Sequence, residues 1–233
     1  MNENLNIMLQ LQKHWRDVLA AEKAAADCSE RIEGLNEELA AAEKNLQKVH
    51  ADVKRLESEI KQAELELASV EDKSKQLAAK EEQLKSEKEL AAFQSQQQIY
   101  KSEAGRIEEQ LIGLMDEIDA LKETSESLSG EFEKQKSIAA ETIDKLSLSI
   151  QSSEAKAREA KEKYGVLLPS LSPEYRSRFD KLLKGKGFAA GELNGEACSL
   201  CNCVVPSQLV AEAGKAGIAV CTNCGAYIYK KLD

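Results

Sequence analysis

Five of the six cysteines of this chain fall within 27 residues near its C-terminal end, as Cys198, Cys201, Cys203, Cys221 and Cys224. Cys198-x-x-Cys201 and Cys221-x-x-Cys224 are separated by nineteen residues. Each C-x-x-C bends into a knuckle that offers two thiolates to one cation, and two knuckles complete the tetrahedral sulfur set that zinc prefers. Iron in a rubredoxin-like site, and disulfides or free thiols, are the alternatives. With Cys198, Cys201, Cys221 and Cys224 as ligands, no position is left for water, which makes a single structural Zn2+ the expected cofactor and excludes a catalytic metal. Cys203 lies two residues from Cys201, a spacing too short for the usual knuckle, and stays outside the set. Clustered thiols of this kind also point to a reducing compartment, with cytoplasmic localisation expected.

The knuckles need backbone that L side chains adopt reluctantly. Gly225 follows the second knuckle and supplies it; Asn202 follows the first and is the next best residue for a left-handed conformation. About fifty residues around the cysteines make a small core, so metal binding should supply much of its stability. Upstream, Ser172-Pro173-Glu174 reads as an N-cap, N1 proline and first-turn acid of a short helix to about Leu183, with Tyr175, Phe179, Leu182 and Leu183 on one face. Gly185, Gly187, Gly191 and Gly195 then punctuate short strand-like pieces. At the end, Ala226 to Lys231 alternates like a strand, with Tyr227, Tyr229, Lys230 and Lys231 expected at the surface as a candidate partner-binding group.

The rest of the chain is a different physical object. All three prolines, eight of twelve glycines and six of ten aromatic residues lie in residues 164–233. Read from Ile7 in steps of four and three to Leu77, nineteen of 21 seam positions are apolar, the exceptions being His14 and Ser74. Ten heptads in one register are the pattern of a left-handed coiled coil. A second seam runs from Leu90 through Phe93, Gln97, Tyr100, Ser125, Gln135, Ser149, Ser153 and Lys156 to Ala160, with fourteen of 21 positions apolar. Its polar run predicts a looser base. Two seams of equal length fit an antiparallel hairpin, each arm about 105 Å long at about 1.5 Å per residue.

The polar stretch between the seams holds Ser86 and Glu89, a capping box for the second helix, which places the tip near residues 80–86. A single continuous helix stays open, since neither glycine nor proline interrupts that stretch. Cys28 and His14 fall on the first seam and read as a small buried hydrophobe and a tolerated polar residue. Trp15 is expected to pack against the segment after residue 164. The fold class expected is therefore mainly α: an antiparallel coiled-coil hairpin over 1–163, then a short helix and zinc ribbon with short β-strands over 164–233.

A net charge of −9 without a basic block argues against a non-specific nucleic-acid binder, although tyrosines beside lysines keep RNA or DNA binding through the ribbon as an alternative. No apolar run approaches a membrane span, so no membrane insertion is expected. Nor do paired acid and base groups stand outside solvated helix faces, so no enzyme is expected. Seam pairing within one chain or between two, and hence the oligomeric state, is open at this stage.

The order of acidic helical hairpin, short helix, Gly-rich strand and terminal four-cysteine ribbon resembles a bacterial family of coiled-coil proteins with a C-terminal zinc ribbon. The resemblance covers essentially the whole chain. It rests on the two knuckles, the stretch from Tyr175 to Gly187, Pro206-x-x-Leu209, and Lys88 to Phe93, which looks like the family's Lys-Glu-Tyr-x-Ala-Leu box with Leu90 and Phe93 in place of tyrosine and leucine. Ala226 stands where the family commonly has arginine. What the resemblance implies is a non-enzymatic protein-interaction adaptor, with the sigma-54 form of RNA polymerase and flagellar or type III secretion components as partners.

Overall fold

The computed structural model describes residues 2–84, 86–215 and 217–230. Two long helices dominate, α1 (Glu3–Ala78) and α2 (Glu87–Leu167), followed by α3 (Pro173–Lys186), β1 (Ala190–Asn194), β2 (Ala197–Cys198), α4 (Ser207–Lys215), β3 (Ala219–Val220) and β4 (Tyr227–Tyr229). The chain divides into two units, Gly34–Glu141 and Met1–Glu33 with Thr142–Asp233. None of the described helices is long and apolar enough to cross a membrane.

In the Gly34–Glu141 unit, α1 and α2 run antiparallel within one chain. Glu57 pairs with Lys122 at 3.2 Å, and Ser74 Oγ donates to Gln97 Oε1 at 2.9 Å while Gln97 Nε2 donates back to the Ser74 carbonyl at 3.3 Å. The polar position of each seam thus meets the other, a matched layer that fixes register. Ala63, Val70 and Ile107 form the buried centre there, with Leu67, Tyr100, Ala104 and Leu111 around them. From Ala21 to Leu77 every expected seam position of α1 is buried or half-buried, and all others except Gly34 are exposed. Between the helices a turn and a short 3-10 segment (Glu81–Gln83) precede Ser86; Lys85 of the expected tip lies outside the described residues. The capping box is reciprocal: Glu89 N donates to Ser86 Oγ at 3.2 Å and Ser86 N to Glu89 Oε2 at 3.1 Å.

The second seam needs correction. From Phe93 to Phe132 it holds, but Leu90, Gln135, Ser149 and Lys156 are exposed, and Ile143, Ile150 and Ala157 take up burial instead. Past Ala139 the buried and half-buried stripe runs through Ile143, Leu146, Ile150, Ser153, Ala157, Ala160 and Tyr164, with Thr142 half-buried beside Ile143. The four-residue step from Ala139 to Ile143, where the heptad asks for three, is a stutter that shifts the stripe by one residue at alternate positions. The base is therefore lined by Ile150 and Ala157 rather than by Ser149 and Lys156, and the looseness expected there loses its cause.

In the other unit, the first turns of α1 bury a wider face than a coiled-coil seam. Leu5, Met8, Leu11, Gln12 and Val18 are buried, while Ile7 and His14 are half-buried. The cause is a second neighbour: Met8 and Leu11 share a core with Tyr164, Leu171, Phe179, Leu183, Ala189, Ala190 and Tyr227. Trp15 packs on the Tyr164 ring at 5.5 Å, and the Tyr164 hydroxyl donates to Asp180 at 2.7 Å. Ser172 takes the N-cap position of α3 without a side-chain cap bond; its backbone N–H instead donates to Asn4 Oδ1 at 3.1 Å. Gly187 ends α3 in a left-handed conformation, its N–H on the Leu183 carbonyl.

Beyond α3 the four strands form one sheet in the order β2-β1-β4-β3, with β1 and β4 parallel and the other pairs antiparallel. The sheet is tied to α1 by Gln12, only 5% exposed. Its Oε1 accepts from Ala189 N at 2.7 Å and Ala190 N at 2.8 Å, and its Nε2 donates to the Ala190 carbonyl at 2.9 Å. Removing this amide strands buried backbone groups, each costing about 1–3 kcal/mol. Gln12→Ala is expected to lower stability by roughly 2–4 kcal/mol on that basis and to strip hydrogen-exchange protection from the Ala190 amide. Denaturant titration and exchange mass spectrometry measure both, and unchanged protection would contradict the assigned role.

Candidate metal centre

The two knuckles are built alike. Cys198 N donates to the Cys203 carbonyl at 3.0 Å, and Asn202 N returns to the Cys198 carbonyl at 2.8 Å; Cys221 N donates to the Ala226 carbonyl at 2.9 Å, and Gly225 N to the Cys221 carbonyl at 3.0 Å. Both turns close through a residue at positive φ, Asn202 at 57° and Gly225 at 76°. The expected asparagine substitution for glycine is what the first knuckle uses. β1 lies close against it: a Cβ on Gly191 would stand 2.4 Å from Leu200 Cγ.

These turns bring the ligating atoms of Cys198, Cys201, Cys221 and Cys224 within 4.8 Å of one another, an arrangement that could hold a metal ion. Across the knuckles, Cys198 Sγ stands 3.9 Å from Cys224 Sγ and Cys201 Sγ 3.7 Å from Cys221 Sγ. A tetrahedron with metal–sulfur bonds of about 2.3 Å has sulfur–sulfur edges of about 3.8 Å. Disulfide bonds are near 2.05 Å, so these are free thiols at coordination spacing. Cys198, Cys221 and Cys224 are buried and Cys201 half-buried.

Electrostatics divide the four. The Cys203 backbone N–H, helped by the Asn223 amide, pulls the Cys201 thiol down to about 6. Burial pushes Cys198 up and Cys224 up to about 12. Burial thus favours the neutral thiols of this pair, and a cation placed between them would favour their thiolates instead. Cys203 lies outside the cluster and accepts from Asn223 Nδ2 at 3.0 Å, a bond that links the first knuckle to the second.

Supporting residues had no signature in the sequence. Lys186 Nζ donates to the Cys224 carbonyl at 3.0 Å and Arg178 Nε to the Gly225 carbonyl at 3.1 Å, so the end of α3 is pinned to the second knuckle by two cations. Such charges also oppose the negative charge that four thiolates leave on a divalent ion. The expected surface group of the last strand is the main correction. Tyr227 is 3% exposed, edge-on to Tyr175 at 5.6 Å, its hydroxyl donating to the Tyr175 carbonyl at 3.3 Å. β4 pairs with β1 on one edge and β3 on the other, and packing covers both its faces: Tyr227 joins the core with α1 and α3, and Ile228 joins the core with the cysteines. Tyr229 is half-buried, Lys230 is exposed, and Lys231 lies outside the described residues. Cys28 and His14 are half-buried on α1, away from this cluster.

Comparison with known proteins gives fold alone. No family model and no curated protein matches the sequence. The chain is similar to the solved structure of CT398 from Chlamydia trachomatis, with a TM-score of 0.89 at 16% identity over 98% of each chain. It is also similar to a protein from Mycobacterium smegmatis, with a TM-score of 0.76 at 14% identity over 99% of this chain and 100% of that one. HP0958 from Helicobacter pylori gives 0.59 at 17% identity over 100% of this chain and 99% of the other. The fold is thus shared across nearly full length at low identity.

Elemental analysis of the purified chain is expected to find one metal ion per chain. Serine at Cys198, Cys201, Cys221 or Cys224 should lower that content, whereas Cys203→Ser should leave it unchanged. Loss of metal in the Cys203 variant would add that residue to the ligand set.

Proposed function

We propose that this protein is a non-enzymatic, zinc-binding protein-interaction adaptor of the cytoplasm. The observation that carries the reading is the all-sulfur tetrahedron built by two matched knuckles, with cross-knuckle spacings of 3.7 and 3.9 Å. Four thiolates satisfy zinc and leave no coordination site for a substrate or water, so the metal would hold the module together. The free thiols fit a reducing compartment. The resemblance to the bacterial hairpin family with a terminal ribbon supplies the partner class: the sigma-54 form of RNA polymerase and components of flagellar or type III secretion machinery.

Binding of RNA or DNA through the ribbon has less support. Of the five cations in α3, Arg176 donates to the Pro169 and Leu171 carbonyls, Arg178 and Lys186 to carbonyls of the second knuckle, and Lys184 pairs with Asp180. Tyr227, expected as a stacking ring, belongs to the core.

Reconstitution with purified sigma-54 tests the reading. The native chain with one zinc is expected to bind it, and a Cys198→Ser, Cys221→Ser variant to bind at least tenfold more weakly as its C-terminal module loosens. Equal binding by the variant would separate recognition from the metal module, and no binding by the native chain would remove that partner. A single-stranded RNA oligomer should bind neither form in a salt-dependent manner.

A further inference from the structure

One stretch of α2 carries a charge and an exposed apolar pair that neither the coiled coil nor the metal centre uses. Residues 108–133 contain nine carboxylates and one lysine, a net −8 where the entire chain carries −9. Within it, Ile112 is 62% exposed and Met115 54% exposed. They lie three residues apart and share a face. On the same ridge stand Glu108 and Asp119, one turn before and one turn after, and Glu109 and Asp116 flank Ile112 at i−3 and i+4. Every charged residue one helical turn from either apolar side chain is therefore a carboxylate, and all four are exposed.

Some acids elsewhere on the helices are paired. Arg55 bonds Glu59 at 2.9 Å, Lys163 bonds Glu159 at 2.6 Å, and Lys161 bonds Glu22 at 2.6 Å. Among the described residues no ion pair engages Glu108, Glu109, Asp116 or Asp119; the stretch's one lysine, Lys122, is held by Glu57. Like charges spaced three and four apart, as in Asp116, Asp119 and Glu123, weaken a helix. That cost is removed by cations from outside.

We propose that the Ile112–Met115 ridge of α2 is a docking site for a basic amphipathic helix of a protein partner. Its apolar residues pack on Ile112 and Met115, and its lysines or arginines reach the surrounding carboxylates. The charge selects this occupant. A stretch at net −8 repels phosphodiester backbones and anionic lipid headgroups alike, and an apolar centre with a charged rim is the anatomy of a protein interface. Methionine adapts its shape to the partner side chains it meets. A ridge of i, i+4, i+7 and i+11 residues is also the form that fits the groove of a second helix. The site stands on residues separate from the cysteines, so it does not depend on the proposed role of the zinc module.

The probe is a 21-residue peptide of three heptads with leucine at a and d and lysine elsewhere, compared with a scrambled peptide of the same composition. Fluorescence anisotropy with the full-length protein is expected to show the amphipathic peptide binding at least tenfold more tightly than the scrambled one. The variant I112S/M115S keeps the net charge and should cut that affinity about tenfold. E108Q/E109Q/D116N/D119N should flatten its dependence on salt. All six positions are exposed, so circular dichroism should remain native. Equal binding of the two peptides, or unchanged binding by I112S/M115S, overturns the proposal. So does a native chain that self-associates in light scattering through Ile112 and Met115, since the ridge would then join two copies of this chain.

Discussion

Four sulfurs must face one point, and the C-terminal module is arranged around that requirement. Each pair is presented by a turn whose first cysteine hydrogen-bonds forward to the residue five positions on, Cys198 to Cys203 and Cys221 to Ala226. Those bonds make each knuckle the tip of a short loop, and the loops in turn set where β2 ends and where β4 begins. Burial opposes ionisation of Cys198 and Cys224, a cost that a cation held among the four sulfurs would offset. The Ile228 side of β4 packs with the cysteines and the Tyr227 side with α1 and α3. A three-residue strand thereby links metal geometry to helix packing.

Gln12 is the second half of that linkage. A helix surface cannot ordinarily satisfy the edge of a sheet, because its own backbone groups are already paired. One amide side chain has both a donor and an acceptor, and Gln12 uses them on Ala189 and Ala190 where the chain enters β1. Arg178 and Lys186 do the corresponding work at the other end of the module by donating to carbonyls of the second knuckle. The module is held to its helices by polar bonds at chosen points as well as by the shared core, which suits a small domain with little apolar area of its own.

How much of this could be read from the sequence depends on whether a residue's partner is local. Cysteine spacing, Asn202 and Gly225 at the knuckle ends, and the Ser86–Glu89 box all make bonds within six residues, and each is found as the pattern implies. The first seam was legible because nineteen of its 21 positions are apolar in one unbroken register. The second was legible to Phe132 and then ambiguous: Ser149 with Ile150 and Lys156 with Ala157 each offer two adjacent candidates of which an unbroken heptad selects the exposed one, while Thr142 and Ile143 are both half-buried. Gln12 in a helix rich in glutamine looks like any solvated residue, since its partners lie 177 and 178 positions away. Tyr227 was misplaced for a related reason. Alternation identifies a strand, but only the parallel pairing of β1 with β4 makes that strand central.

The polar exceptions in the seams carry more structural information than the apolar majority. Leucines and alanines tolerate sliding by a heptad, because one layer of a coiled coil packs much like the next. Ser74 and Gln97 do not, since displacing either would break the two mutual hydrogen bonds of these half-buried groups, which exist in one register only. The stutter between Ala139 and Ile143 acts differently, moving burial onto Ile150 and Ala157 without a polar contact. Register in the Gly34–Glu141 unit is thus specified by a hydrogen-bonded layer, whereas the identity of the buried face past Ala139 is specified by where the heptad breaks.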